Sequence, residues 1–88
     1  MIHRTQPLVM ASQLGAVLQG ARKSLKLTQA QLAQRLGLSQ RRVSELERAP
    51  GTLSVDQLLA ICTQLGLQLS VQPREQVPQP PVTQPGEW

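Results

Sequence analysis

The residues of this 88-residue chain best suited to chemistry lie together in Gln40-Arg41-Arg42-Val43-Ser44, directly after Ser39. Amide and guanidinium groups present hydrogen-bond donors in fixed forks, a geometry that matches paired acceptors on a base edge or a phosphate. No reactive set competes with them. One His (His3) and one Cys (Cys62) cannot build a Cys/His zinc site, and no nucleophile, base and orienter can be composed around them. Cys62 falls on an apolar helical stripe, where a thiol is more often core than nucleophile. The sequence reads as a binding protein, with no enzymatic activity, metal or cofactor expected.

Positive charge gathers around the same stretch. The net charge is +4, but within residues 22–48 Arg22, Lys23, Lys26, Arg35, Arg41, Arg42 and Arg48 face only Glu45 and Glu47. Beyond residue 48, Arg74 is outweighed by Asp56, Glu75 and Glu87. Such a concentration is expected where a surface meets a polyanion, and on charge alone a solvated helical face is an equal reading.

The elements that position these groups follow from the apolar pattern. Trp88 is the single aromatic, so the core must be Leu, Val, Ile and Ala, which favours packed helices. Leu14, Val17, Leu18, Ala21 and Leu25 form one stripe of a helix over about 13–25 that Ser12 can cap. Thr28-x-x-Gln31 is a capping box for a second helix burying Leu32, Ala33 and Leu36 and ending at Gly37. Ser39 caps a third with Val43 and Leu46 inward, stopped by Pro50-Gly51. Ser54-x-x-Gln57 opens a fourth, striped by Val55, Leu58, Leu59, Cys62 and Leu65 and closed by Gly66. No apolar run is long enough to cross a membrane, and Pro7–Ala11 is too short for a signal peptide, so the chain reads as cytosolic.

After Gly66 the period changes. Leu67, Leu69 and Val71 alternate with Gln68, Ser70 and Gln72, the pattern of a strand that Pro73 ends. A lone strand leaves its backbone groups unpaired, so it should pair with its copy in a second chain, or with the weaker extended candidate Thr5–Met10. Prolines at 73, 78, 80, 81 and 85 make the remainder a disordered, partly polyproline tail.

Helices two and three also carry a positional code. In a helix-turn-helix the fifth residue must be small where the helices touch, and the ninth must accept a left-handed turn. With Gln29 as the first, these are Ala33 and Gly37, and the apolar fourth, tenth, fifteenth and eighteenth places hold Leu32, Leu38, Val43 and Leu46. A capped helical hairpin can arise in any bundle, but these matches are specific to position.

Through Arg22, Leu27-Thr28-Gln29-x-x-Leu32-Ala33, Gly37-Leu38-Ser39 and Val43-x-x-Leu46-Glu47, residues 12–66 resemble the phage-repressor and Cro type of helix-turn-helix domain. The chain length, the strand after the domain and the ending Glu87-Trp88 resemble HipB-type antitoxins. The expected architecture is an all-α helix-turn-helix domain of four to five short helices, with one C-terminal β-strand paired across a homodimer and a disordered tail. Its parts are an irregular arm (1–11), the DNA-binding domain (12–66), the dimerisation strand (67–72, carried by Leu67, Leu69 and Val71) and the Pro-rich tail (73–88).

In the third helix, the direction opposite Val43 and Leu46 holds Arg41 and Arg48, with Gln40, Ser44 and Glu45 beside it. A recognition helix enters the major groove N-terminus first, so Gln40, Arg41 and Ser44 are the expected base readers. Arg42 points aside, toward phosphate. Thr28 and Gln29 at the start of helix two, Ser39, Arg35 and Lys26 complete the expected phosphate contacts. Thr28 and Gln31 can also simply cap one another.

The resemblance implies further roles. It pairs Glu47 with Arg22, a structural role, and it implies a HipA-type serine/threonine kinase toxin as partner, while two recognition helices on the dyad of the expected homodimer call for an inverted-repeat operator. Trp88 is then an anchor for that toxin, although composition alone favours an exposed residue of no consequence. The alternative is a phage-type or orphan regulator with no toxin partner.

Overall fold

The computed structural model describes residues 5–74. Helices α1 (Ala11–Ser24), α2 (Gln29–Leu36), α3 (Gln40–Arg48) and α4 (Val55–Leu65) follow one another, with a single 3-10 turn, Pro50–Thr52, between α3 and α4. None of them is long and apolar enough to cross a membrane.

Local chemistry sets most of the boundaries. Thr28, Ser39 and Ser54 each accept a hydrogen bond from the backbone N–H three residues on, at 3.0 Å. At Thr28 and Ser54 a glutamine completes the reciprocal capping box, Gln31 accepting from Thr28 N–H and Gln57 from Ser54 N–H. Gly37 and Gly66 adopt the left-handed conformation that ends α2 and α4, at φ +70° and +71°. The start of α1 differs from expectation. Ser12 lies inside the helix, and the Gln13 side chain reaches back to accept from Val9 and Met10 N–H at 2.6 and 2.8 Å.

Leu18, Leu32, Ala33, Val43, Leu46, Ile61 and Leu65 form the core, with Leu14, Ala21, Leu36, Leu38, Leu53 and Leu67 packed against it. Three side chains expected inside are not. Leu25 is exposed because α1 ends at Ser24, before it could be carried over the core. Val55 and Leu59 are exposed because the apolar arc of α4 is wider than the face the domain covers, and the arc is centred toward Ile61, which the expected stripe lacked.

Gly15 is buried in α1 for a tertiary reason. A Cβ there would collide with the Glu47 carbonyl oxygen and lie 3.3 Å from the Pro50 ring. The crossing of α1 over the end of α3 therefore requires a residue without a side chain.

The strand expected over 67–72 is not shown in the single chain, and there is no strand among the described residues. Leu67 still packs on the core, its N–H donating to the Cys62 carbonyl at 2.8 Å, but Leu69 is 40% and Val71 97% exposed. A ladder needs a second strand, and neither Thr5–Met10 nor any other described segment supplies one within the chain.

Candidate nucleic-acid interface

The turn between α2 and α3 is held by backbone chemistry. Leu38 N–H donates to the Ala33 carbonyl at 2.9 Å across left-handed Gly37, and Ala33 is buried where the two helices touch. Val43 and Leu46, 1% and 2% exposed, turn one side of α3 into the core and thereby fix which side faces outward. On that outward side Gln40 and Arg41 are exposed and Ser44 and Glu45 half-buried.

The hairpin is locked to α1 by ionic contacts. Arg22 Nε and Nη2 donate to the two carboxylate oxygens of Glu47 at 2.6 and 3.1 Å, and Nη1 donates to the Leu27 carbonyl at 2.8 Å. Gln29 Nε2 adds a third donor to Glu47 at 3.2 Å. The Glu47 carboxylate thus ties α1, the start of α2 and the end of α3 together, while Arg22 also holds the loop after α1. The pairing of Glu47 with Arg22 is the one the family resemblance implied. The contact from Gln29 was not foreseen, and it directs the amide donor of an expected phosphate ligand inward.

The other expected site residues are distributed as follows. Arg42 is half-buried and fixed, its Nη1 lying 3.4 Å from both Glu45 Oε1 and Thr52 Oγ1. Thr52 was not anticipated in this role, and no motif marks it. Ser39 and Thr28 are used as caps, and by helix geometry the first-turn N–H groups of Gln29 and Ala30 have no partner within α2. Arg35 is exposed on the last turn of α2, and Lys26 is exposed at the end of α1. Contacts bring Arg41, Arg42 and Glu45 together, whereas among the described residues no ion pair joins Arg35 or Lys26 to them. Trp88 and the tail residues 75–88, like His3, lie outside the described residues.

Cys62 is buried on α4, and desolvation raises the pKa of its thiol, which keeps it protonated and weakly nucleophilic. Among the described residues, no group of acidic, His or Cys side chains could hold a metal ion.

A short helix seated on a small-residue contact, locked from behind by a buried ion pair and presenting amide, guanidinium and hydroxyl groups outward, defines a helix-turn-helix DNA-binding domain. The chain belongs to the helix-turn-helix family, whose pattern it matches over residues 18–72. Among solved structures, it is similar at 22% identity and a TM-score of 0.73 to a chain of a HipA-HipB-O2-O3 complex, covering 81% of this chain and 100% of that one. A HipB-O1-O2 complex is similar at 23% identity and a TM-score of 0.71, covering 78% of this chain and 100% of that one. A structure described as MDT protein gives 22% identity, a TM-score of 0.73 and the same coverage as the first. These likenesses establish a shared fold. No curated protein sequence matches the chain.

Proposed function

We propose that the chain is a homodimeric, sequence-specific repressor and the antitoxin partner of a HipA-type serine/threonine kinase toxin, acting on the promoter of its own operon. The observation that carries the reading is the outward side of α3, where Arg41 stands opposite buried Val43 and Leu46 with Gln40 and Ser44 beside it. Gln40 can pair bidentately with adenine and Arg41 with guanine, each contributing about 1–3 kcal/mol of discrimination. Arg42, Arg35, Lys26, Ser39, Thr28 and the first-turn N–H groups beside Gln29 contact phosphates and set the register.

Dimerisation is supported by the placement of exposed apolar side chains. Leu8, Val9, Leu25, Leu69 and Val71 all border one open groove along α1, and no residue of α2 or α3 lines it. A second copy closing over that groove through Leu67, Leu69 and Val71 leaves both recognition helices accessible. Two of them on a dyad reach half-sites about 34–36 Å apart, so the operator is an inverted repeat.

The antitoxin assignment is supported by the fold shared with chains of a HipB-O1-O2 complex and a HipA-HipB-O2-O3 complex. Selection of bound duplexes from a random pool, followed by mobility shift, tests DNA reading; recovery of no common sequence overturns it. Binding of the wild type and of Trp88→Ala to the product of the adjacent gene tests the partner. An adjacent gene without kinase motifs leaves an orphan regulator, and equal affinities remove Trp88 from the contact.

A further inference from the structure

The two acids of α3 have opposite fates. Glu47 is turned inward to Arg22, whereas Glu45 remains on the outward side among the groups proposed to meet DNA. Each Glu45 oxygen serves a different guanidinium: Oε2 lies 4.0 Å from Arg41 Nε, and Oε1 lies 3.4 Å from Arg42 Nη1. The two arginines are not held alike. Arg42 is also bound to Thr52 Oγ1, which itself donates to the Ala49 carbonyl at 3.0 Å, while the Arg41 side chain is 90% exposed and touches Glu45 only at the limit of an ion pair. A carboxylate in this place works against simple phosphate gathering, because it offsets the charge of both arginines and repels the polyanion itself.

We propose that Glu45 is a specificity-determining residue, whose carboxylate between Arg41 and Arg42 suppresses sequence-independent phosphate binding and leaves base-edge hydrogen bonding as the interaction that engages Arg41. The proposal rests on the DNA-binding reading of α3. Its physical basis is a difference in range. Attraction of a guanidinium to phosphates anywhere along a duplex depends on local potential, which the carboxylate lowers. A bidentate contact to guanine depends on short, directed hydrogen bonds, which the carboxylate leaves intact. Releasing Arg41 from a long, solvated contact costs little, so the specific complex loses less than the non-specific one. Unfavourable charge placed against the wrong target is a general route to discrimination.

The test compares Glu45→Gln with the wild type on a selected operator duplex and on an arbitrary duplex, over about 50–200 mM salt. The variant is expected to bind the arbitrary duplex about fivefold more tightly and the operator less than about twofold more tightly, with a salt slope steeper by about 0.9. An unchanged ratio between the two duplexes overturns the proposal. So does a ratio that falls because the operator is lost, since that makes Glu45 a direct base reader. Repeating the comparison in an Arg41→Ala background is expected to shrink the change in ratio by more than half; a change of full size overturns action through Arg41. A wild-type chain that prefers no sequence fails the DNA-binding reading itself, an outcome distinct from any defect in the role of Glu45.

Discussion

The Arg22 guanidinium grips the Glu47 carboxylate through both oxygens, with the two side chains only 8% and 7% exposed. The pair spans α1 and α3, so it sets the angle at which the recognition helix leaves the domain. Removing one partner strands the other charge in the interior. Arg22→Ala should therefore lower stability by about 3–5 kcal/mol in urea unfolding, whereas Arg22→Met combined with Glu47→Leu should recover most of that loss. Equal stability of the single and double variants would show that the loss does not come from a stranded charge.

Two glycines of α1 should respond to alanine with opposite signs. At Gly15 a Cβ meets the Glu47 carbonyl and the Pro50 ring, so Gly15→Ala forces α1 from α3 and should destabilise by about 1–3 kcal/mol despite its better helix propensity. At Gly20 a Cβ meets nothing within 4 Å, and Gly20→Ala should stabilise by about 0.5–1 kcal/mol. Thermal melts of the two variants on either side of the wild type would establish the crossing; melts on the same side would contradict it.

Lys26 holds a left-handed conformation at φ +58°, with Lys26 N–H donating to Lys23 and Leu27 N–H to the Arg22 carbonyl at 2.9 and 3.1 Å. This is the glycine-type ending of a helix built with a residue that has a Cβ. Lys26→Gly should stabilise the domain by about 0.5–1 kcal/mol, raising Tm by a few degrees. If Lys26 also meets a phosphate, the same variant should bind every duplex more weakly with a salt slope shallower by about 0.9. A lysine kept against its backbone preference would then have a functional reason, and unchanged DNA binding would remove that reason.

These residues mark where the fold could be read in advance. Thr28 with Gln31, Ser54 with Gln57, Gly37 and Gly66 were legible because caps and left-handed turns are settled by a few adjacent residues. The outward side of α3 was legible for a related reason, since Val43 and Leu46 orient the helix by periodicity alone. Gly15, the contact of Gln29 with Glu47 and the support of Arg42 by Thr52 depend on neighbours distant in the chain, which spacing does not encode. Lys26 was hidden because the signal sought for its conformation is glycine. Ile61 was missed, and Val55 and Leu59 misplaced, because apolar residues occupy more of α4 than one stripe, so periodicity leaves its centre undetermined.

Base reading and phosphate binding should separate by mutation. Arg41 and Gln40 stand exposed on the outward side of α3, whereas Arg35 belongs to α2 and has no base edge proposed for it. Arg41→Ala and Gln40→Ala should each cost about 1–3 kcal/mol on the operator and relax preference at single base positions. Arg35→Ala should weaken binding to all sequences alike and make the salt slope shallower by about 0.9. Identical profiles for the three variants in a mobility-shift series would refute this division of labour.

The segment after α4 gives a test of dimerisation that does not disturb the domain. Leu67 packs on the core, but Leu69 is already 40% and Val71 97% exposed in the single chain, so a charge at Leu69 falls outside the buried core. Leu69→Lys should melt at nearly the wild-type temperature while placing an ammonium group in the proposed strand pair, where it would be desolvated without a partner. Sedimentation should then show monomers. Operator affinity should fall about a hundredfold or more, because two half-sites linked through one dimer gain effective concentration that separate monomers lack. An inverted repeat reduced to one half-site should abolish the difference between Leu69→Lys and the wild type, since neither can then use a second helix. A Leu69→Lys protein that remained dimeric would move the interface to other exposed apolar residues, among them Val55 and Leu59 on α4.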